Sequence, residues 1–159
     1  MSSELLGFIA HDHVSCRDAA IAAAEETCAL EGLQFTPVRR RALEILAEAH
    51  AAMGAYDLLK RLVEDGFGSQ PPVVYRALDF LIKHGFAHKI ERLNAYVACV
   101  HSLSRHTPVF LICVGCNAVA ETDMAEPFVS KAAAQMGFEV KRLVVEAEGL
   151  CPACQEGAG

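Results

Sequence analysis

Cys113-x2-Cys116 and Cys151-x2-Cys154 form two cysteine pairs separated by 34 residues. Thiolate sulfur is a soft donor, and two such pairs supply the four ligands of a closed tetrahedral zinc site. A closed site keeps no open coordination position, so its expected role is structural. The competing chemistry is two redox dithiols. A thioredoxin-like pair would sit at the strand-to-helix turn of a βαβ unit, and the surrounding sequence lacks that pattern. A looser set is His88, Cys99, His106 and Glu121. By residue type alone these four admit two readings. They can be ordinary hairpin and strand residues, with a surface histidine and a packed cysteine. The second reading is a mixed N/S/O zinc site drawing donors from both sides of a connector, for which spacing alone is a weak signal. His11, His13 and His101 are candidates for a third metal site, against the plainer picture of a solvated N-terminus for the first two. Cys16 and Cys28 fit packing residues or free thiols.

These residues need elements to position them. Residues 16–31 are Ala-rich and free of Gly and Pro, which favours helix. Thr36-Pro37 marks a helix start, Thr as cap and Pro in the first turn. Val38, Ala42, Ile45, Leu46 and Ala49 then follow helical spacing. A third helix is expected from Ala55 to Asp65 with Gly66 beyond its end, and a fourth from Ser69 to Lys83 followed by Gly85. Ala87–Ile90 and Ala95–Cys99 read as a hairpin around Arg92-Leu93-Asn94. Helices followed by a hairpin describe a winged helix, with residues 71–84 as the helix offered to the major groove.

Beyond residue 99 the sequence changes character. His101 to Pro108 is a polar connector. Val109–Val114 and Ala118–Thr122 read as strands, Asp123 caps a helix through Met136, and Phe138 to Ala147 is strand-like. This small α+β unit has little core of its own, and a metal or a partner subunit would support it. The predicted division is a winged-helix DNA-binding domain over 1–98, a hinge over 99–108 and an α/β domain over 109–159. The overall class is α+β.

Composition excludes several functions. The chain has 159 residues, 53% hydrophobic and 21% charged, so it is globular. No apolar run reaches the ~20 residues needed to cross a bilayer. Met1 to Ala10 lacks Lys and Arg and is broken by Glu4, which argues against a secretory signal and for a cytoplasmic location. Seven cysteines in a reducing compartment read as metal ligands or thiols before disulfides. The net charge is −6, yet residues 36–92 alone balance to +2. Phosphate contacts need Lys and Arg, so that middle third is where DNA could bind. It holds Arg39-Arg40-Arg41, Lys60-Arg61, Arg76, Lys83, Lys89 and Arg92. Arg76 lies in the first turns of the fourth helix, off its apolar stripe, where it can reach guanine or a phosphate. The sequence has no His-x-Glu of a zinc deaminase, no His-Glu-x-x-His, no Gly-x-Ser-x-Gly and no phosphate-binding glycine loop. An enzyme is not expected, and no small-molecule substrate is implied.

The run Pro71-Pro72-Val73-Val74-Tyr75-Arg76-Ala77-Leu78-Asp79-Phe80-Leu81 resembles the DNA-reading helix of the ferric uptake regulator family. His88 to Cys99 resembles its zinc uptake regulator branch. The two cysteine pairs, with Gly149-Leu150 before the second, and Thr36-Pro37-Val38-Arg39 are similar to further family motifs. The resemblance covers about residues 17 to 155. It implies a homodimer with an N-terminal winged helix and a C-terminal α/β dimerisation domain, repressing zinc uptake genes by binding double-stranded operator DNA when loaded with zinc. It implies two zinc ions per chain: a structural one on Cys113, Cys116, Cys151 and Cys154, and a regulatory one on His88, Cys99, His106 and Glu121. It places DNA contacts at Tyr56 and Arg76; Tyr75, Arg39 and Arg40, in the same middle third of the chain, are further candidates for contact with DNA. Iron, manganese or nickel sensing within the same family, and zinc storage without an operator, are the alternatives. Iron and peroxide sensors of the family usually carry a His-rich run before the first Cys pair. Here Ser-Leu-Ser-Arg separates His101 from His106, and Cys99 supplies soft sulfur, both of which favour zinc. Val73 and Gln70 stand where the family commonly has a Ser or Thr and a Lys. Lys60 and Val63 replace an acid–base pair that some zinc regulators use between dimers.

Overall fold

The computed structural model describes residues 8, 13–49, 51–68, 70–99, 107–124 and 128–157. The chain divides into two compact units, one from Ala10 to Leu103 and the other made of Met1–Ile9 and Ser104–Gly159. None of the described helices is long and apolar enough to cross a membrane.

The first unit is a winged helix preceded by an extra helix. Helix α1 runs over His13–Glu31, α2 over Pro37–Glu48, α3 over Ala55–Glu64 and α4 over Pro71–Lys83. Helix α1 starts three residues before the predicted span. Thr36 caps α2: its hydroxyl accepts the Arg39 backbone N–H at 3.4 Å, and Pro37 occupies the first turn. The apolar stripes meet in one core. Ala42, Leu43, Ile45 and Leu46 of α2 pack with Leu58 and Leu62 of α3 and with Val74, Ala77, Leu78 and Leu81 of α4. Ile21, Ala24 and Cys28 of α1 and Phe86, Ala87 and Tyr96 complete it. Cys28 is therefore a packing residue, and burial pushes its thiol pKa up.

Strands β1 (Ala87–Ile90) and β2 (Ala95–Ala98) form the antiparallel wing, with His88 opposite Val97. The hairpin closes through a 3-10 turn at Glu91–Leu93 and Asn94, whose φ of 45° lies in the left-handed region. Asparagine tolerates that conformation better than most residues. Met53 adds a bridge to Tyr96 with backbone bonds of 2.9 and 2.8 Å, tying the segment before α3 to the wing.

The second unit is a three-stranded sheet in the order β4-β3-β5 with two short helices. Strand β3 (Thr107–Cys113) pairs antiparallel with β4 (Val119–Met124) and parallel with β5 (Val145–Gly149). Helix α5 covers Phe128–Gln135 and α6 covers Pro152–Glu156. Three sequence expectations need correction here. Asp123 does not cap a helix: it lies in β4 opposite Pro108. The helix begins at Phe128, and it ends near Gly137, whose φ of 69° suits glycine. The strand-like run from Phe138 becomes strand only at Val145 and then continues to Gly149, because the parallel register Cys113↔Gly149 carries it to the end of β3. The predicted connector overlaps β3, which already begins at Thr107.

Candidate metal centre and nucleic-acid interface

The parallel pairing of β3 with β5 brings the two cysteine pairs together within the second unit. Cys113 ends β3, opposite Gly149, and Val114 N–H donates to the Gly149 carbonyl at 2.9 Å. A tight turn follows, closed by Asn117 N–H on the Cys113 carbonyl and by Cys113 N–H on Ala118, both 2.9 Å. Asn117 takes the left-handed conformation that this turn requires, φ 60°. On the other side Cys151 stands just before α6, with Pro152 in the first turn, and the helix presents Cys154 one turn on. The Gln155 amide donates to the Leu150 carbonyl at 2.7 Å and fixes that turn. Gly115 leaves the space: a Cβ there would lie 2.9 Å from Cys154 Sγ and 3.2 Å from its Cβ.

The four sulfurs lie within 4.8 Å of one another. Cys116 Sγ and Cys151 Sγ are 3.8 Å apart. A tetrahedron with metal–sulfur bonds of about 2.3 Å has an edge of about 3.8 Å, so the donor set fits zinc in both type and size. The thiols are electrostatically linked. Cys151 N–H donates to Cys113 Sγ at 3.3 Å, which lowers that thiol to about 6. Hydrogen bonding to the sulfurs of Cys151, Cys113 and Cys116 pushes the Cys154 thiol up to about 12. The cluster accepts a first negative charge readily and the last reluctantly, a pattern that a bound divalent cation would relieve.

The second candidate set is seen in part. Cys99 follows β2, and its N–H donates to the Phe86 carbonyl at 2.9 Å, extending the hairpin by one rung. His88 faces Val97, so Cys99, two residues beyond Val97, is its diagonal neighbour on the same face of the wing. Donor atoms of His88 and Cys99 lie within 4.8 Å of each other, with Cys99 buried and His88 half-buried. In the other unit Glu121 is half-buried on β4, opposite Phe110. His106 falls outside the described residues, as do His11 and His101, while His13 opens α1.

The nucleic-acid candidates divide into exposed and occupied side chains. Helix α4 buries Val74, Ala77, Leu78 and Leu81 and turns Tyr75 and Arg76 outward. Tyr56, in the first turn of α3, is 74% exposed, unusual for a tyrosine with no ligand to cover. Among the described residues no carboxylate pairs with Arg76. The arginine triplet differs. Arg40 donates to Glu44 at 3.2 Å and also pairs with Glu25. Arg41 donates to Asp65 at 2.7 Å and to Glu44 at 3.1 Å. The Arg39 guanidinium donates to the Gln34 carbonyl and lies 3.9 Å from the centre of the Phe80 ring. Glu44 lies on α2 itself, one turn along, but charge counting in the sequence could not reveal Glu25 on α1, Asp65 at the end of α3 or Phe80 on α4 as partners.

Comparison with known proteins fits this geometry. The model of the ferric uptake regulator family matches residues 30–147. The zinc uptake regulation protein of Escherichia coli (strain K12) is 42% identical over 139 residues, which cover 86% of this chain and 81% of that protein. A solved structure of a zinc uptake regulator complexed with zinc and DNA superposes with a TM-score of 0.84 at 41% identity, covering 89% of this chain and 97% of the other. The crystal structure of holo XcZur gives a TM-score of 0.78 at 38% identity, with coverages of 87% and 99%. A family match over residues 30–147 and that identity across most of both chains place it beyond analogy of fold: the chain belongs to the ferric uptake regulator family.

Proposed function

We propose that this protein is a zinc-responsive transcriptional repressor, which binds operator DNA as a zinc-loaded homodimer and controls zinc uptake genes in the cytoplasm. Its role is regulatory, not enzymatic. The observation that carries this is the 42% identity, across 86% of the chain, to a zinc uptake regulation protein. The all-thiolate cluster supports it independently, since its spacing suits a zinc ion of structural type.

Two sites with different chemistry divide the work. Cys113, Cys116, Cys151 and Cys154 hold the structural ion and staple the sheet of the second unit. His88, Cys99, His106 and Glu121 hold the regulatory one, the assignment that the family motifs favour. When bound there, zinc supplies a charge of +2 that neutralises the Cys99 thiolate and the Glu121 carboxylate. Cys99 and His88 anchor the wing, and His106 and Glu121 belong to the segments that follow it. Without the cation these four donors have no reason to converge, and the paired DNA-reading helices have no fixed spacing. Zinc therefore raises DNA affinity by its preference for the DNA-competent arrangement, and DNA tightens zinc by the same factor. Tyr56, Tyr75 and Arg76 contact the duplex, Arg76 from the first turns of α4, with Arg40 near the backbone. A second copy of the chain covers the apolar surface of the second unit, where Phe128, Met136 and Phe138 are 81%, 85% and 67% exposed.

The test is DNA affinity for genomic fragments against buffered free zinc, with ferrous and manganous controls, for the parent and for Cys99→Ser. The parent should bind sharply in zinc and weakly in the other metals. Cys99→Ser should stay folded, retain its tightly held zinc and lose the zinc response, because a neutral hydroxyl is a harder and poorer donor. An unshifted zinc response in that variant would remove Cys99 from the sensing site.

A further inference from the structure

Arg39 belongs to the Thr-Pro-x-Arg start of α2 and sits in the basic middle third, which makes it an obvious phosphate contact. Its surroundings say otherwise. Arg39 is half-buried as a residue; its guanidinium donates to the Gln34 carbonyl in the segment before α2 through a bond that solvent reaches, and its central carbon lies over the Phe80 ring, 3.9 Å from the ring centre. Phe80 is itself set in an aromatic cluster. Its ring centre is 4.6 Å from that of His84 and 6.3 Å from that of Phe86, and Phe86 is 6.4 Å from Phe35. A planar cation over a ring face gains most when both are withdrawn from water. On α4, Phe80 stands four residues after Arg76, hence one turn below it on the same face. Whatever fixes Phe80 also fixes the rotation of α4 about its own axis.

We infer that Arg39 is a positioning residue for DNA binding: it bolts the start of α2 to Phe80 and so sets the angle at which α4 presents Tyr75 and Arg76. This rests on the repressor function proposed above. The side chain is then spent inside the protein, with its hydrogen bond to a backbone carbonyl and its face on an aromatic ring. It neutralises no phosphate.

The experiment uses the full zinc-loaded chain and a duplex that this chain selects from genomic fragments. Affinity is measured across a salt series for the parent, Arg39→Ala, Arg39→Lys, Phe80→Leu and the Arg39→Ala/Phe80→Leu double variant. Phe80→Leu keeps an apolar side chain of similar reach and removes only the ring. Arg39→Ala and Phe80→Leu should each weaken binding by about three- to tenfold, the range expected for a partly desolvated cation–π contact. The double variant should be no weaker than the worse single variant, because the two residues act as one unit. Arg39→Lys should resemble Arg39→Ala, since an ammonium keeps the charge and loses the planar fork. The slope of log affinity against log salt should stay that of the parent. A slope shallower by about 0.9, with Arg39→Lys near the parent, would identify a phosphate contact and overturn the inference. So would additive losses, or a Phe80→Leu variant that binds like the parent. A parent that selects no duplex in zinc would instead refute the repressor function, and this inference with it.

Discussion

The two units of this chain are stabilised by different means. The winged helix has a continuous core in which Leu43, Ile45, Leu58, Leu62, Leu78 and Leu81 are fully buried, contributed by three helices. In the second unit the buried described side chains are Val109, Phe110, Ile112, Ala120, Cys113 and Cys151, and α5 buries nothing. Two of those six are proposed zinc ligands. Apolar burial worth ~25 cal/mol per Å² therefore organises the first unit, while the described residues of the second bury few apolar side chains to set against the entropy of ordering its chain. The lesson concerns division of labour. In the proposed function, the first unit reads DNA and has to keep its shape through every metal state, which a self-sufficient core provides. The second, proposed to pair with another copy, keeps Phe128, Met136 and Phe138 outward and would take its rigidity from metal ligands.

The sharpest way to break this contrast is to remove the structural ion. Cys113→Ser takes away the sulfur that ends β3 and accepts the Cys151 N–H. Structural zinc in small modules contributes on the order of 10 kcal/mol to folding. The variant should lose its tightly held zinc, and amide protection should collapse across residues 107–157 and persist across 13–99. Hydrogen exchange resolved by segment checks both halves. Uniform protection with no zinc bound would mean that the second unit stands without its metal. Acid should act in the same direction. The Cys113 thiol, lowered to about 6 in the folded state, contributes stability at pH above its unfolded value, and this is lost as pH falls through about 6. Protons also compete directly with the metal, so zinc retention should fall over that range.

A core substitution should produce the reverse pattern. Leu43→Ala opens a cavity in the core of the winged helix, at a residue of α2 with no exposed surface. The expected cost is about 2–5 kcal/mol to the winged helix, with zinc content of the tetracysteine site unchanged. Denaturant titration followed by zinc release separates the two transitions. A single shared transition that carries zinc loss with it would show that the units are thermodynamically one.

Arg76→Ala moves from folding to function. If its guanidinium reads a base edge, binding should weaken by about 1–3 kcal/mol and discrimination at one position should relax. Zinc stoichiometry and dimerisation should be unaffected. Equal affinity of variant and parent for the selected duplex would show that Arg76 points elsewhere.

Legibility in the sequence follows the same division. The winged helix could be read directly because its signals are local: Thr36-Pro37 at a helix start, Gly66 and Gly85 past helix ends, and leucines at helical spacing. The second unit was legible only in part: Val109–Val114 and Ala118–Thr122 match β3 and β4 to within two residues, but where its elements end depends on partners far away in sequence. Asp123 has the chemistry of a cap, yet β3 offers it a place opposite Pro108 and the strand wins. The run from Phe138 has strand composition, yet only the stretch that lies alongside β3 becomes strand. The cysteine pairs were legible for a third reason: metal geometry restricts spacing so tightly that four residues suffice. The packing role of Arg39 left no local signal, since Phe80 is 41 residues away and is an ordinary core residue by type.

The smallest expected effect sharpens the distinction among the basic residues themselves. Arg40 is adjacent to Arg39 and belongs to the same basic triplet, and composition alone would give it equal weight in binding phosphate. It pairs with Glu44 one turn along α2 and with Glu25 on α1, and its side chain remains 44% exposed. Solvent screens these pairs, each worth about 0–1 kcal/mol, so removing the arginine should change stability by less than ~1 kcal/mol. For DNA the two carboxylates already offset much of its charge. Reaching a phosphate would require it to leave them, and part of the gain would be cancelled by that exchange. Arg40→Ala should therefore weaken binding to all sequences alike, by less than Arg76→Ala does, with a slightly flatter salt dependence and no change in specificity. Measuring both variants on the selected duplex and on a scrambled one makes the comparison. A loss confined to the selected duplex would mean that Arg40 leaves its carboxylates and reads sequence, and the exposed face of α4 would then not be the sole source of specificity.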